Sequence, residues 1–299
     1  MKVKNKNLKK MNVFMIISFV VLLVYTISLL FPFLWALLTS LKSNMDYQLN
    51  MFGLPKEWRF SNYGVVFRWF FVTTDKRGTV YIEGLLLNSL LTAFGQAFFL
   101  AFFNCVAGYC CAKFSRFKIT GIYTTIVIVT MALPIIGAQG AELKLLMRFG
   151  LYDTLFAPWI LSMTFMGIYY LVFLENFRAI PKDYSEAAYV DGAGNFTLFF
   201  RLMLPFASKT LATVMLINFI ASWNDYQFAL LYLPSYPTLA YGLYGFTVGG
   251  NNSMAVEINA NRVPIHMAAC MVLFVPIFLI FCFLQKHLMG NLQLGGLKG

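Results

Sequence analysis

Charge is scarce in this chain: of its 299 residues only 12% are Asp, Glu, Lys or Arg, while 60% are hydrophobic. Too few polar side chains remain to cover a water-soluble domain of this size, so a polytopic membrane protein is expected. Histidine is limited to His266 and His287, at opposite ends of one apolar run where they cannot share a metal. The five cysteines (Cys105, Cys110, Cys111, Cys270, Cys282) sit in apolar stretches without CxxC spacing. Metal centres and disulfides are therefore not expected, and the cysteines read as small buried hydrophobes. There is no GxxxxGK[ST] loop, no GxSxG and no HExxH, so no catalytic residue is assigned and ATP is not hydrolysed by this chain. Gly192-Ala193-Gly194 with Thr197 looks superficially like a phosphate-binding turn, but no strand precedes it and the glycine spacing fails. It reads as a hinge. Asn251-Asn252-Ser253 fits a glycosylation pattern by chance composition. The net charge of +11 does not point to nucleic acid, because the lysines and arginines gather at the ends of apolar runs instead of forming a stripe.

What is present is a succession of apolar runs. Six spans are read at about 12–41, 85–112, 119–141, 155–175, 205–233 and 263–285, giving an all-α transmembrane helical bundle treated as a single domain over 1–299. The first follows Lys2, Lys4, Lys6, Lys9 and Lys10 and is much longer than a signal-peptide core, so it is expected to be a retained anchor that ends at Lys42, with a kink at Pro32. Residues 42–83 read as an exposed outer loop, and Phe67, Trp69, Phe70 and Phe71 as an interfacial anchor. Asn88, Gln96 and Asn104 are expected to hydrogen-bond between helices, and Pro134 falls inside the third span. Residues 234–262, rich in Pro, Tyr, Gly and Asn, read as an outer loop or re-entrant element. With six spans, fourteen of the 23 Lys/Arg fall on the side of the N-terminus and nine on the other side over longer loops, so both termini are expected in the cytoplasm.

One polar island interrupts this pattern, IPKDYSEAAYVDGAGNFTLFFRLMLP from Ile180 to Pro205. Pro181 with Asp183 and Glu186 signals a helix start, and Gly192 its end. A second short helix is expected with Asn195 as N-cap and Phe196, Phe199 and Phe200 on an exposed face, stopping where Pro205 opens the next span. Ala187 and Ala188 leave room for another backbone.

The spacing Glu186-Ala187-Ala188, three residues, Gly192, nine residues, Leu202-x-Leu204-Pro205 resembles the EAA loop of bacterial ABC importer permeases, with Leu202 in place of the usual isoleucine. The segments FGLPKEWRFSNYGVVF, AGYCCAKFSRFK and QLGGLKG are also similar to carbohydrate-uptake members of that family. The resemblance implies a multi-pass permease of the bacterial plasma membrane, contributing half of a translocation pathway for a sugar or oligosaccharide. It implies as partners a second, different permease, an ABC ATPase dimer that binds ATP and Mg²⁺, and an extracytoplasmic solute-binding protein. The coupling residues would be Glu186, Ala187, Ala188, Gly192, Leu202 and Pro205. Trp223-Asn224-Asp225 resembles a motif at the outer end of the fifth helix in sugar permeases. Trp223, Asn224, Asp225 and Tyr226 are therefore substrate-pathway candidates, against the plainer role of a polar clasp between helices. An ion-coupled carrier or membrane-embedded enzyme is the rival class. It would need several ionisable groups at mid-bilayer, and essentially only Asp225, off-centre, is found.

Overall fold

The computed structural model describes residues 13–133, 137–248 and 262–289. They fall into two compact units, one within Met1–Arg68 and Val256–Val272 and the other within Trp69–Ala255 and Leu273–Gly299. The lysine-rich start, the Asn251-Asn252-Ser253 pattern and the glycine-rich tail lie outside the described residues.

In the first unit, α1 (Val13–Ser40) is a 28-residue apolar helix with Pro32 inside it, followed by the short α2 (Asn44–Leu49) and α3 (Ser61–Trp69). The expectation of an exposed loop from Lys42 onward fails at its first residue. Lys42 is fully buried and its Nζ donates to the carbonyls of Asn50 (2.6 Å) and Met51 (3.3 Å). Asn62 Nδ2 donates to the carbonyls of Ser40 and Lys42, so backbone oxygens left over at the end of α1 are satisfied by a folded polar plug.

The second unit opens with an antiparallel hairpin, β1 (Phe71–Thr74) and β2 (Gly78–Tyr81), paired from Phe71↔Tyr81 to Thr74↔Gly78. The all-α expectation omits it. Phe70 is buried while Phe67 and Trp69 are exposed, so the aromatic cluster read as a surface anchor divides between core and surface. Then α4 (Ile82–Lys113) runs for 32 residues and forms the axis of the unit. Ala93, Ala97, Ala101 and Cys105, spaced every four residues, line its buried face. Such small residues let neighbouring helices approach closely. At Gly108 a Cβ would lie 2.7 Å from the Cβ of Phe173 and 2.8 Å from the Leu174 backbone nitrogen. Of the cysteines, Cys105 is buried as expected but Cys110 is exposed, and all five are free.

The third and fourth spans are not the continuous helices read from sequence. α5 (Lys118–Ala132) has 15 residues, about 22 Å of rise against a hydrocarbon core of about 30 Å. It stops because Leu133, which precedes Pro134, is extended at φ −88° and ψ 124°. α6 (Gln139–Arg148) follows. The fourth stretch is split into α7 (Phe156–Leu161) and α8 (Ile168–Arg178), with Gly167 at φ +111° before α8. Asn104 Nδ2 donates to the Thr164 carbonyl in this break (2.9 Å), and the Tyr123 hydroxyl donates to that of Phe165. The irregular backbone between the two helices is thus satisfied by side-chain donors of the protein.

α9 (Asp183–Val190) precedes α10, a continuous helix from Asn195 to Asn224 that contains a π-helical stretch at Leu198–Met203. Pro205 therefore does not open a new segment. Proline lacks the N–H that an α-turn would direct to residue 201, and the wider turn before it absorbs the mismatch. α11 (Tyr226–Tyr232), α12 (Leu239–Val248) and α13 (Arg262–Met289) complete the chain. Among the described residues four helices are long and apolar enough to cross a bilayer: Phe14–Ser40, Ile82–Lys113, Asn195–Asn224 and Val263–Phe283.

Candidate functional site

The polar island folds as a corner between α9 and α10. α9 begins at Asp183, two residues after Pro181, with Asp183 and Glu186 in its first turn, where carboxylates complement the helix dipole. It ends in a Schellman arrangement. Gly192 takes φ +80°, its N–H donates to the Tyr189 carbonyl (3.0 Å), and the Ala193 N–H donates to that of Ala188 (2.9 Å). Gly192 thus ends the helix as expected, in the left-handed region, and open space surrounds the position a Cβ would take.

None of the residues of α9 is buried. Glu186, Ala187, Gly192 and Pro205 are exposed, whereas Ala188 and Leu202 pack against the chain's own core around Tyr109, Phe177 and Phe199. One of the three phenylalanines of the expected exposed face is likewise internal: Phe199 is buried, while Phe196 is 82% exposed and Phe200 is exposed. Asn195 is not the N-cap of its helix. Gly194 takes that place, and Asn195 Oδ1 accepts hydrogen bonds from Lys113 Nζ (2.7 Å) and the Tyr189 hydroxyl (2.9 Å). The Lys113 ammonium also lies 5.2 Å from the Tyr189 ring centroid and 5.6 Å from that of Tyr109. Lys113 and Tyr189, which the sequence reading passed over, therefore pin the corner to the end of α4. The only sequence signal was the first of three basic residues closing an apolar run.

At the other end of α10 the Trp-Asn-Asp motif separates into different environments. Trp223 is 1% exposed and its Nε1 donates to the Leu273 carbonyl (3.2 Å), so its indole serves as a clasp. Asn224 Nδ2 donates within its own helix to the Ile220 carbonyl. Asp225 caps α11, accepting from the Phe228 N–H (3.0 Å), which gives a carboxylate near the end of an apolar helix its partner. Tyr226 stacks on Tyr244 with centroids 4.3 Å apart.

Nearby, Asp153 joins three elements. Its Oδ1 accepts from the Ser235 N–H, and its Oδ2 accepts from Ser235 Oγ and Lys76 Nζ, each at 2.7 Å. Its own N–H donates to the Tyr232 carbonyl, and it holds φ +59°. Burial pushes the carboxyl pKa up, but the hydrogen bonds from Lys76 and Ser235 and the lysine charge outweigh it, so the net shift is downward. The same bond raises the pKa of Lys76. This clasp borders a cavity of about 550 Å³ whose wall includes Thr73, Tyr152, Tyr241 and Tyr244. Among the described residues no cluster of His, Cys, Asp or Glu could hold a metal ion.

Residues 104–292 match the family described as binding-protein-dependent transport system inner membrane component, and the chain belongs to it. The chain is 27% identical over 285 residues to the diacetylchitobiose uptake system permease protein NgcG of Streptomyces coelicolor, covering 94% of this chain and 88% of that one. It is 26% identical to the melibiose/raffinose/stachyose import permease protein MelC of Bacillus subtilis, covering 90% and 91%. Its fold is similar to that of a chain in the crystal structure of a bacterial ABC transporter involved in the import of the acidic polysaccharide alginate (TM-score 0.75, 23% identity, 94% and 98% coverage). The protein is thus a membrane-embedded permease subunit of an ABC importer and not an enzyme; it works with an ATPase and a substrate-binding protein, and ATP is hydrolysed on the separate subunit. The carrier and enzyme alternatives fall with this assignment.

Proposed function

We propose that this chain forms half of the pathway of a sugar or oligosaccharide importer, and that the corner at 180–205 seats in a cleft of the ATPase. The single observation that carries the coupling role is the corner's exposed outer face. No residue of α9 is fully buried, and apolar Val190 and Phe196, 88% and 82% exposed, flank the rigid turn at Gly192. A surface of this kind calls for a protein partner. Glu186 and Ala187 would meet that partner, while Ala188 and Leu202 fix the corner to the bundle.

The remaining features of this reading are six membrane crossings with both termini in the cytoplasm, a second, different permease subunit, and ATP with Mg²⁺ bound only by the ATPase dimer. The satisfied break between α7 and α8 supports a discontinuous crossing there, beside the four long apolar helices. The sugar class is supported by the names of the relatives, and a neutral hydroxylated cargo suits the exposed amide of Asn224, the carboxylate of Asp225 and the ring of Tyr226 at the outer end of α10.

The test is Glu186→Lys in the whole transporter. Inverting a charge in a dehydrated interface carries a penalty comparable to the ~2–5 kcal/mol lost on truncating such groups. Sugar uptake and ATPase retention should both collapse while the chain still reaches the membrane. Normal uptake with the ATPase still bound would refute the coupling role.

A further inference from the structure

Beside the corner lies a cavity of about 470 Å³ between the C-terminal ends of α4 and α8 and the flank of α9. Four of its lining side chains are cationic, Lys113, Arg116, Arg178 and Lys182, against one lining carboxylate, Glu186. Arg178 is ion-paired with Glu175 (2.7 Å). Among the described residues no carboxylate pairs with the other three, and the partners of Lys113 are all neutral, the amide oxygen of Asn195 and the tyrosines Tyr109 and Tyr189. Cations at two helix C-termini offset the negative dipole ends there, but that role does not require them to converge on one cavity. A second observation points the same way. The Tyr109 hydroxyl, on a side chain lining this cavity, is buried, and the side chain that reaches it is the Lys113 ammonium, which can only donate, so the hydroxyl proton has no acceptor. A buried hydroxyl in that state is unfavourable unless something accepts its proton.

We propose that this cavity binds the phosphate group of an anionic ligand, with Arg116, Lys182 and Lys113 supplying charge and the Tyr109 hydroxyl a directed donor. Lys113 is the last residue of a 32-residue apolar span, longer than the hydrocarbon core is thick, so a cavity at that end suits the polar boundary of the bilayer. Basic pockets between helices at that level suit anionic phospholipids. A soluble phosphorylated compound would satisfy the same groups. Which leaflet is involved rests on the cytoplasmic placement of the corner proposed above; the phosphate chemistry does not. Because the ligand would bridge the ends of α4 and α8 to α9, the setting of the coupling corner would depend on it.

The complete transporter, purified and reconstituted in phosphatidylcholine nanodiscs doped with phosphatidylglycerol, tests this through the lipid retained after detergent extraction, counted by mass spectrometry. Phosphatidylglycerol should be retained in preference to phosphatidylcholine. Arg116→Gln with Lys182→Gln should weaken that preference about thirtyfold, and Tyr109→Phe, which keeps the packing, should weaken it several-fold. Arg201→Gln with Lys209→Gln, basic residues outside the cavity, should leave it unchanged. Displacement of the retained lipid by inorganic phosphate would assign the site to a soluble phosphate compound, and persistence of the lipid would assign it to the membrane; both uphold phosphate binding. Equal retention of the two lipids by the unmodified complex, or equal losses in the two double variants, would overturn the proposal. Retention is read without ATP hydrolysis or uptake, so this outcome is independent of whether Glu186→Lys uncouples transport.

Discussion

Replacing Gly192 tests whether the corner works through a fixed backbone. The residue holds φ +80° and nothing lies within 4 Å of a prospective Cβ, so any loss must come from backbone conformation and not from collision. An L-residue in the left-handed region costs roughly 1–2 kcal/mol, with asparagine at the mild end and β-branched residues at the severe end. The corner can escape that cost by changing φ, but it then gives up the bonds from Gly192 N–H to Tyr189 and from Ala193 N–H to Ala188. Each is worth about 0.5–1.5 kcal/mol, so the native angle loses roughly 1–3 kcal/mol by either route. At 1.4 kcal/mol per tenfold change, Gly192→Val should leave a minor fraction of corners in the productive geometry. Uptake per transporter, corrected for membrane content, should fall in the order Gly, Asn, Ala, Val, and ATPase stimulation in proteoliposomes should fall with it. Equal uptake for Val and Gly would refute the argument. So would equal losses for Asn, Ala and Val, because the order is what distinguishes a left-handed requirement from a need for glycine's flexibility.

Gly108→Val should be among the most damaging single changes. Its side chain would enter the backbone of α8, where overpacking costs about 1–3 kcal/mol or more, and the midpoint of thermal aggregation in detergent should drop accordingly. Asp153→Ala removes the shared acceptor of Lys76 and Ser235 and leaves the buried Ser235 N–H unpaired, at about 1–3 kcal/mol; faster protease cleavage at the 75–77 turn would register it. Because the Asp153 carboxyl titrates below its ordinary range when folded, this clasp is fully present above that range and is lost only as pH falls through the lowered value. Cleavage at that turn should therefore be flat from neutral pH into mild acid and rise only below the usual carboxylate range. Trp223→Ala should reduce the amount of assembled transporter more than it changes sugar selectivity; unchanged assembly with altered selectivity would return Trp223 to the substrate pathway.

The corner was legible because its chemistry is local. A glycine at a helix end, two carboxylates in a first turn and an island between apolar runs act over a few residues, and Gly192 falls in the left-handed region as the pattern implies. What was illegible depends on partners far along the chain. The fourth apolar run reads as one helix because its break at residues 162–167 is stabilised by Asn104 and Tyr123, some 60 and 42 residues away. Lys42 reads as a boundary to water, yet the carbonyls of Asn50 and Met51 and the folded plug around them remove it from solvent. Pro205 reads as a start signal because a π-helical stretch leaves no imprint on apolar periodicity. Trp223 and Asp225, adjacent but for one residue, end in a buried clasp and a helix cap, a division set by which side of α10 meets the rest of the unit.

The unbroken run of α10 has a mechanical consequence. Thirty helical residues from Asn195 to Asn224 make a strut about 45 Å long, with the corner joined to one end and Asp225 and Tyr226 seated just past the other. A strut of that length converts a 10° tilt into about 8 Å of travel at its far tip. Its most compliant joint is the π-helical stretch before Pro205, and bending there would swing the 21 residues from Leu204 to Asn224 as one piece about 32 Å long, still about 5 Å of travel for a 10° bend. Small rotations at the corner would thus arrive at the far end as displacements comparable to the width of a sugar ring, with no relay of side chains needed in between.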